Sequence, residues 1–174
     1  MASLRYGAHM TIPAVVISLL RDWRLWALLG VAALLSFLYQ IQPERQVLRH
    51  QQKLLDAFAG KKWDKAGALI APDFSTRWGQ NRESVIEDAR GVLQHYFVLD
   101  ILCEEPVCFV EEKTARITTR IRMAGRGSPV AELVNQRVNE LRQPWTFEWV
   151  RPGWQTWKWE LRRVEQPELT WTAM

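Results

Sequence analysis

Two side chains of the right type to move protons stand close together in this sequence, His95 and Asp100. They flank the point where a helical spacing of apolar residues gives way to an alternating one. Inside a pocket, a desolvated aspartate at this place would abstract a proton from a carbon acid. The alternation works against that role. It groups Asp100 with Val98 and Leu102 on the outer face of a strand, where a carboxylate is simply solvated. His95 reads as a helix-end residue. The other histidines, His9 and His50, are scattered and show no metal-ligand spacing. Cys103 and Cys108 are too few for a disulfide scaffold or a four-ligand zinc site. If Glu104–Val107 is a hairpin loop, the two thiols face each other and bridge in an oxidising compartment. If both lie along one bulged strand, they stand too far apart to bond. No catalytic, cofactor or metal-binding residue is assigned from these patterns.

Aromatic and basic residues supply the remaining candidates. The 174 residues include ten tryptophans, five of them between Trp145 and Trp159. Trp145, Trp149, Trp157 and Trp159 are candidates to line a pocket for an apolar ligand. The same indoles, at alternate strand positions, would equally fill a core between sheet and helices. An exposed aromatic strip, meeting a partner or peptidoglycan, is the third reading. Arg116, Arg120, Arg122 and Arg162 share an outer face with Glu148, Lys158 and Glu160. That face is either a docking surface, for a second copy or a membrane-complex partner, or a solvated sheet with cross-strand ion pairs. Over Gln42–Met174, 20 Lys/Arg stand against 18 Asp/Glu, a net of +2. With no basic cluster, this balance argues against nucleic acid as a partner.

The elements that must position these residues follow a long uncharged run. Leu25–Ile41 holds seventeen residues without a charge. As a helix it would span roughly 25 Å, near the lower limit for a bilayer. Trp23, Arg24, Tyr39 and Gln40 at its ends suit the two interfaces. A buried soluble helix and a cleaved signal peptide are the competing readings. No small residue follows Ser36 to support cleavage, so an uncleaved, single-pass membrane anchor is expected. Residues 1–24 form a leader that would lie along the membrane surface. Three basic residues on each flank (Arg5, Arg21, Arg24; Arg45, Arg49, Lys53) leave the orientation to the short leader, which favours an exported domain.

After the anchor, Pro43-Glu44 suits a first helical turn, and Val47, Leu48, Leu54, Leu55 and Phe58 keep helical period to Gly60. A second short helix carries Trp63, Ala66, Leu69 and Ile70 and ends at Pro72-Asp73, with Phe74 tucked back into the core. Asn81 caps a third helix whose apolar face runs from Val85 to Phe97. Glu83, Glu87 and Asp88 in its early turns suit the helix dipole. A long strand over about 97–110 follows. One extra residue near Glu105-Pro106 is needed to keep Leu99, Ile101 and Cys103 on the same face as Cys108 and Val110. Residues 115–123 form its partner. Ser128-Pro129 opens a short helix at 130–141, with an extended connection as the alternative. Two strands close the sheet, one with Trp145, Phe147 and Trp149 on one face, the other with Trp157, Trp159 and Leu161. The tail 166–174 is polar and expected to be loose.

This order predicts an α+β domain over 44–165, a cone of about three helices packed on a curved antiparallel sheet, behind an N-terminal transmembrane helix. It resembles the nuclear transport factor 2-like, or cystatin-like cone, superfamily. The resemblance rests on the element order, the run Leu69-Ile70-Ala71-Pro72-Asp73-Phe74, the long bulged hairpin and the closing Trp-Lys-Trp-Glu-Leu strand. It implies a hydrophobic pocket between sheet and helices, but no catalytic motif of the superfamily is matched. The expected function is a membrane-anchored, non-catalytic binding or protein-interaction module. The alternative is a small-molecule enzyme or apolar-ligand-binding protein that uses the cone.

Overall fold

The computed structural model describes residues 26–34, 42–155 and 157–169. The chain divides into two compact units, Met1–Gln40 and Ile41–Met174. In the first, residues 26–34 are helical. The rest of the Leu25–Ile41 stretch and the leader lie outside the described residues. Among the described residues, no helix is long and apolar enough to cross a membrane.

The second unit is an α+β cone. Helix α1 (Pro43–Ala59) buries Val47, Gln51, Leu54 and Leu55 on one face, the spacing expected for a helix lying on a sheet. The chain leaves it through Lys61, whose backbone is left-handed (φ 55°). Lys61 Nζ donates to Tyr96 O at 2.8 Å, which ties this turn to the sheet. Helix α2 (Trp63–Ala68) is short and ends before Ile70. Ile70–Thr76, expected as a helix end and an inward tuck, is instead strand β1. It is an edge strand that runs parallel to the last strand, with Ile70 opposite Leu161 and Thr76 opposite Val164. Pro72 is tolerated because an edge strand leaves some N–H positions unpaired. The sheet is therefore mixed rather than wholly antiparallel.

Helix α3 (Arg82–Leu93) starts at a reciprocal cap. Ser84 N donates to Asn81 Oδ1 and Asn81 N donates to Ser84 Oγ, both at 2.9 Å. Strands β2 (Tyr96–Glu111) and β3 (Thr114–Gly127) form the long hairpin. Glu104 pairs with Arg120 and Val107 with Thr118, so β2 gains one residue where parity demanded it. Glu105 takes the left-handed conformation (φ 49°), and Thr119 Oγ1 donates to Glu104 O at 2.9 Å. On β3, Ala115, Ile117, Thr119, Ile121 and Met123 are buried while Arg116, Arg120 and Arg122 are exposed. Cys103 and Cys108 lie on the one strand, and both are free thiols.

Helix α4 (Pro129–Asn139) falls where a helix was expected. Strand β4 (Trp145–Val150) pairs with β3 only from Thr114 to Thr119. Past that point α4 takes the place of a strand. Asn139 accepts from Met123 N and donates to Met123 O, each at 2.9 Å. One turn earlier, Asn135 Nδ2 donates to Gly125 O at 3.1 Å. Tyr96 OH donates to Asn135 Oδ1 or Ala131 O, each 3.0 Å away. Strand β5 (Glu160–Glu165) starts later than expected, leaving Trp157 in the loop before it. The sheet order is β1-β5-β4-β3-β2, with every pair except β1–β5 antiparallel.

At the far end of the hairpin, Gly125 and Gly127 sit where a side chain has no room. A Cβ added at Gly127 would lie 2.0 Å from His95 O and 2.9 Å from the Ala131 Cβ, whereas one at Gly91 in α3 meets nothing within 4 Å. Gly127→Ala is expected to cost about 3 kcal/mol through backbone displacement, and Gly91→Ala to add up to about 1 kcal/mol of helix stability. Urea unfolding of the two variants checks both signs.

Candidate functional site

The concave face of the sheet and the helices over it enclose a cavity of about 400 Å³. Leu54, Leu55 and Phe58 come from α1, Ile70 and Phe74 from β1, and Val85, Ala89 and Val92 from α3. The sheet contributes Ile101, Ile121, Met123, Phe147, Leu161 and Val164, and α4 contributes Val134 and Val138. Leu54, Leu55, Ile70, Phe74, Ile121, Met123, Phe147 and Leu161 are themselves buried and form the floor. Trp145 stacks on Phe147 with ring centroids 6.3 Å apart and planes at 18°. Such a wall binds by shape and apolar contact.

Polar groups gather at one margin, where Thr76 is buried and the others are more exposed. They are Thr76, Gln80, Asp88 and Arg137, with Trp78 and Leu169 beside them. Gln80 Nε2 donates to Asp88 Oδ2. Thr76 Oγ1 accepts from Gln80 N at 3.1 Å. Trp78 Nε1 donates to Leu169 O at 2.7 Å. Gln166, where a loose tail was expected to begin, is fully buried. It donates to Gln143 O at 2.9 Å, and its Oε1 accepts from Leu169 N at 3.2 Å. Residues 166–169 are thereby fixed and complete the rim. Asp88 is the rim residue that sequence reasoning passed over. Sequence reading grouped it with Glu83 and Glu87 as a dipole partner, but it lies in the middle of α3, beyond the first turn where the dipole acts. The available signal was that it shares a face with Val85 and Val92, at helical spacing, where a charge is out of place.

The four candidate tryptophans do not converge. Trp145 lines the cavity. Trp149 is fully buried elsewhere and donates to Gln51 Oε1 at 3.1 Å under α1. Trp159 is buried beneath the Arg151 guanidinium, 4.4 Å from its ring centroid. Trp157 is exposed. Three of the four arginines meet carboxylates, Arg116 with Glu148 at 3.0 Å, Arg122 with Glu104 at 3.1 Å and Arg162 with Asp73 at 3.0 Å. Exposed pairs of this kind contribute about 0–1 kcal/mol each. Arg120 is exposed. Asp100 is exposed, as its parity required. His95 is half-buried, with Nδ1 3.3 Å from Ser128 Oγ, and it stands outside the cavity. His50 packs edge-on to Trp149 at 6.4 Å. Its pKa is lowered, mainly by burial and further by Lys53, against the opposing pull of the Gln46 carbonyl. Among the described residues, no three potential metal ligands cluster.

No family model matches the sequence, and no curated protein matches it. Solved structures do. A candidate dehydratase of the nuclear transport factor 2-like family from Streptomyces avermitilis is 16% identical with a TM-score of 0.53, over 70% of this chain and 91% of that one. A Nostoc punctiforme protein of unknown function with a cystatin-like fold is 11% identical with a TM-score of 0.51, over 71% and 91%. A Bdellovibrio bacteriovorus protein is 12% identical with a TM-score of 0.53 over 70% of this chain, which spans only 38% of its length. At these identities the likeness establishes the fold. The domain has the nuclear transport factor 2-like, cystatin-like cone architecture that the element order resembled.

The thiols are held in their neutral form. Burial, then the Glu44 carboxylate, pushes the Cys108 thiol up to about 11. Burial also raises Cys103, with the neighbouring Thr119 and Gln51 side chains acting in the opposite direction. Since only the thiolate reacts, Cys108 is expected to alkylate with iodoacetamide at pH 8 about tenfold more slowly in the native protein than in urea. Mass spectrometry of timed aliquots measures the ratio.

Proposed function

We propose that this chain is a membrane-tethered binding module whose cone holds a small apolar molecule without transforming it. The observation that carries this reading is the cavity of about 400 Å³ walled by aliphatic and aromatic side chains. Pockets of this size and character take ligands that bury most of their surface. The tryptophans do not plug it, since Trp149 and Trp159 are committed to the core elsewhere. Its titratable lining, among the described residues, consists of Asp88 and Arg137, both at the rim. The dehydratase name attached to the Streptomyces neighbour suggests elimination chemistry. That chemistry calls for a base and an acid set across the substrate, and the apolar floor here supplies neither. The uncharged run Leu25–Ile41 supports the tether, and the short leader before it supports an exported domain.

The cavity can be probed with a generic apolar fluorophore. Ala89 is a small wall residue, so Ala89→Trp fills the space from α3. Binding of 1-anilinonaphthalene-8-sulfonate is expected to fall at least about tenfold in Ala89→Trp, the loss of roughly 1.4 kcal/mol of contact. Unchanged binding, with the fold intact by circular dichroism, would exclude the cavity as the site.

A role for the outer sheet face in pairing two copies is the second reading. It is favoured by the exposed apolar row Val98, Leu102, Val107 and Phe109 on β2 beside Arg120 on β3. A groove of about 290 Å³ along Phe109, Arg116, Glu148 and Arg162 adds relief to this region. If the face pairs copies, Arg120→Glu is expected to lower the mass measured by light scattering from dimer to monomer.

A further inference from the structure

Three parts of the domain meet at one end. Arg151 N, at the start of the β4–β5 loop, donates to Lys113 O in the β2–β3 turn at 2.8 Å. Cys108 Sγ, near the same end of β2, lies 4.0 Å from Glu44 O in the first turn of α1. The loop 151–159 at this end carries Trp154, 82% exposed, and Trp157, 59% exposed. Their rings meet edge to face with centroids 6.2 Å apart. The base of the same loop is anchored, because Trp159 is buried under Arg151. The loop thus presents two large apolar rings from a fixed support. Two indoles left in water forgo a substantial apolar burial, since such rings each bury roughly 150–250 Å² when covered.

The geometry points to a lipid bilayer as the surface that covers them: we infer that Trp154 and Trp157 seat in the boundary between headgroups and acyl chains. The inference rests on the tethered reading above. The chain enters α1 at this same end, and Gln42 alone separates Leu25–Ile41 from Pro43. One residue reaches about 3.5 Å, so a stretch that ends in a membrane leaves this end of the domain at its surface. Indole suits that boundary, with an apolar body and one N–H donor. Charge argues against an acidic polymer as the occupant. Lys113, Arg151 and Lys158 are balanced by Glu111, Glu112 and Glu160, and Lys158 already pairs with Glu160 at 2.7 Å.

The test uses the full chain in phosphatidylcholine vesicles, with Cys103→Ser and Cys108→Ser as background. A polarity-sensitive nitrobenzoxadiazole label is placed through Trp154→Cys, and in a separate variant through Arg126→Cys near the opposite end of β3. The 154 label is expected to shift to the blue and to be quenched by brominated lipid about threefold more than the 126 label. The 126 label should instead be quenched by aqueous iodide. In the chain with its native cysteines, Trp154→Ser with Trp157→Ser should lower the quenching of intrinsic fluorescence by brominated lipid. If both labels respond alike while the protein resists alkaline carbonate extraction, the seating is wrong and the tether stands. If carbonate extracts the protein, the tether and the seating fall together. Shielding that requires an added protein or glycan rather than the bilayer also overturns the inference.

Discussion

A single hydroxyl governs the geometry of the cone. Thr119, itself buried in β3, donates to the carbonyl of Glu104 and so secures the backbone where β2 takes in its extra residue. A strand alternates faces with period two, so one inserted residue exchanges inside for outside along everything beyond it. With the bulge, Leu99, Ile101 and Cys103 fall on the same side as Cys108 and Val110. Without it, Glu104 would point into the space under α1, an uncompensated charge in an apolar setting. The floor of the cavity at Ile101 and the outward placement of Asp100 both follow from this local device. The left-handed backbone at Glu105 is the strain that accompanies it.

Much of the fold was legible because its cues are local. Pro43, the Asn81 cap and Ser128-Pro129 each mark a helix start through their own backbone chemistry. The bulge was legible because parity and a mid-strand proline agreed. Strand β1 was not, because its pairing is parallel and joins Ile70 to Leu161, far apart in the sequence. Pro72 reads equally well as the end of a helix and as an edge-strand residue. The register slip between Glu148 and Trp149 likewise had no local signature. It places Val164 rather than Arg163 beside the cavity with Leu161, while Trp157 is lost from that face because β5 begins only at Glu160. The candidate site was legible only in its pocket character and in Trp145. Its rim joins Thr76, Gln80, Asp88, Arg137 and Leu169, residues that only the tertiary fold assembles.

The wall formed by α4 is attached differently from the rest. Elsewhere the sheet is held by backbone ladders between strands, but here side-chain amides at two successive turns stand in for a strand. Asn139 presents one acceptor and one donor, as a strand residue would, while Val134 and Val138 turn toward the cavity. The helix therefore satisfies the polar edge of β3 and closes the apolar space with the same few residues.

On the proposed reading, that double duty constrains the route by which a guest would arrive. Lifting α4 would leave the Met123 and Gly125 backbone groups bare, an open strand edge that invites pairing with other chains. Traffic through that wall would put solubility at risk with every exchange. The margin where Trp78 meets the Leu169 carbonyl is secured by side-chain hydrogen bonds, from the Trp78 indole and from the buried Gln166 amide. The architecture thus separates a wall that completes a strand from a margin held by side chains.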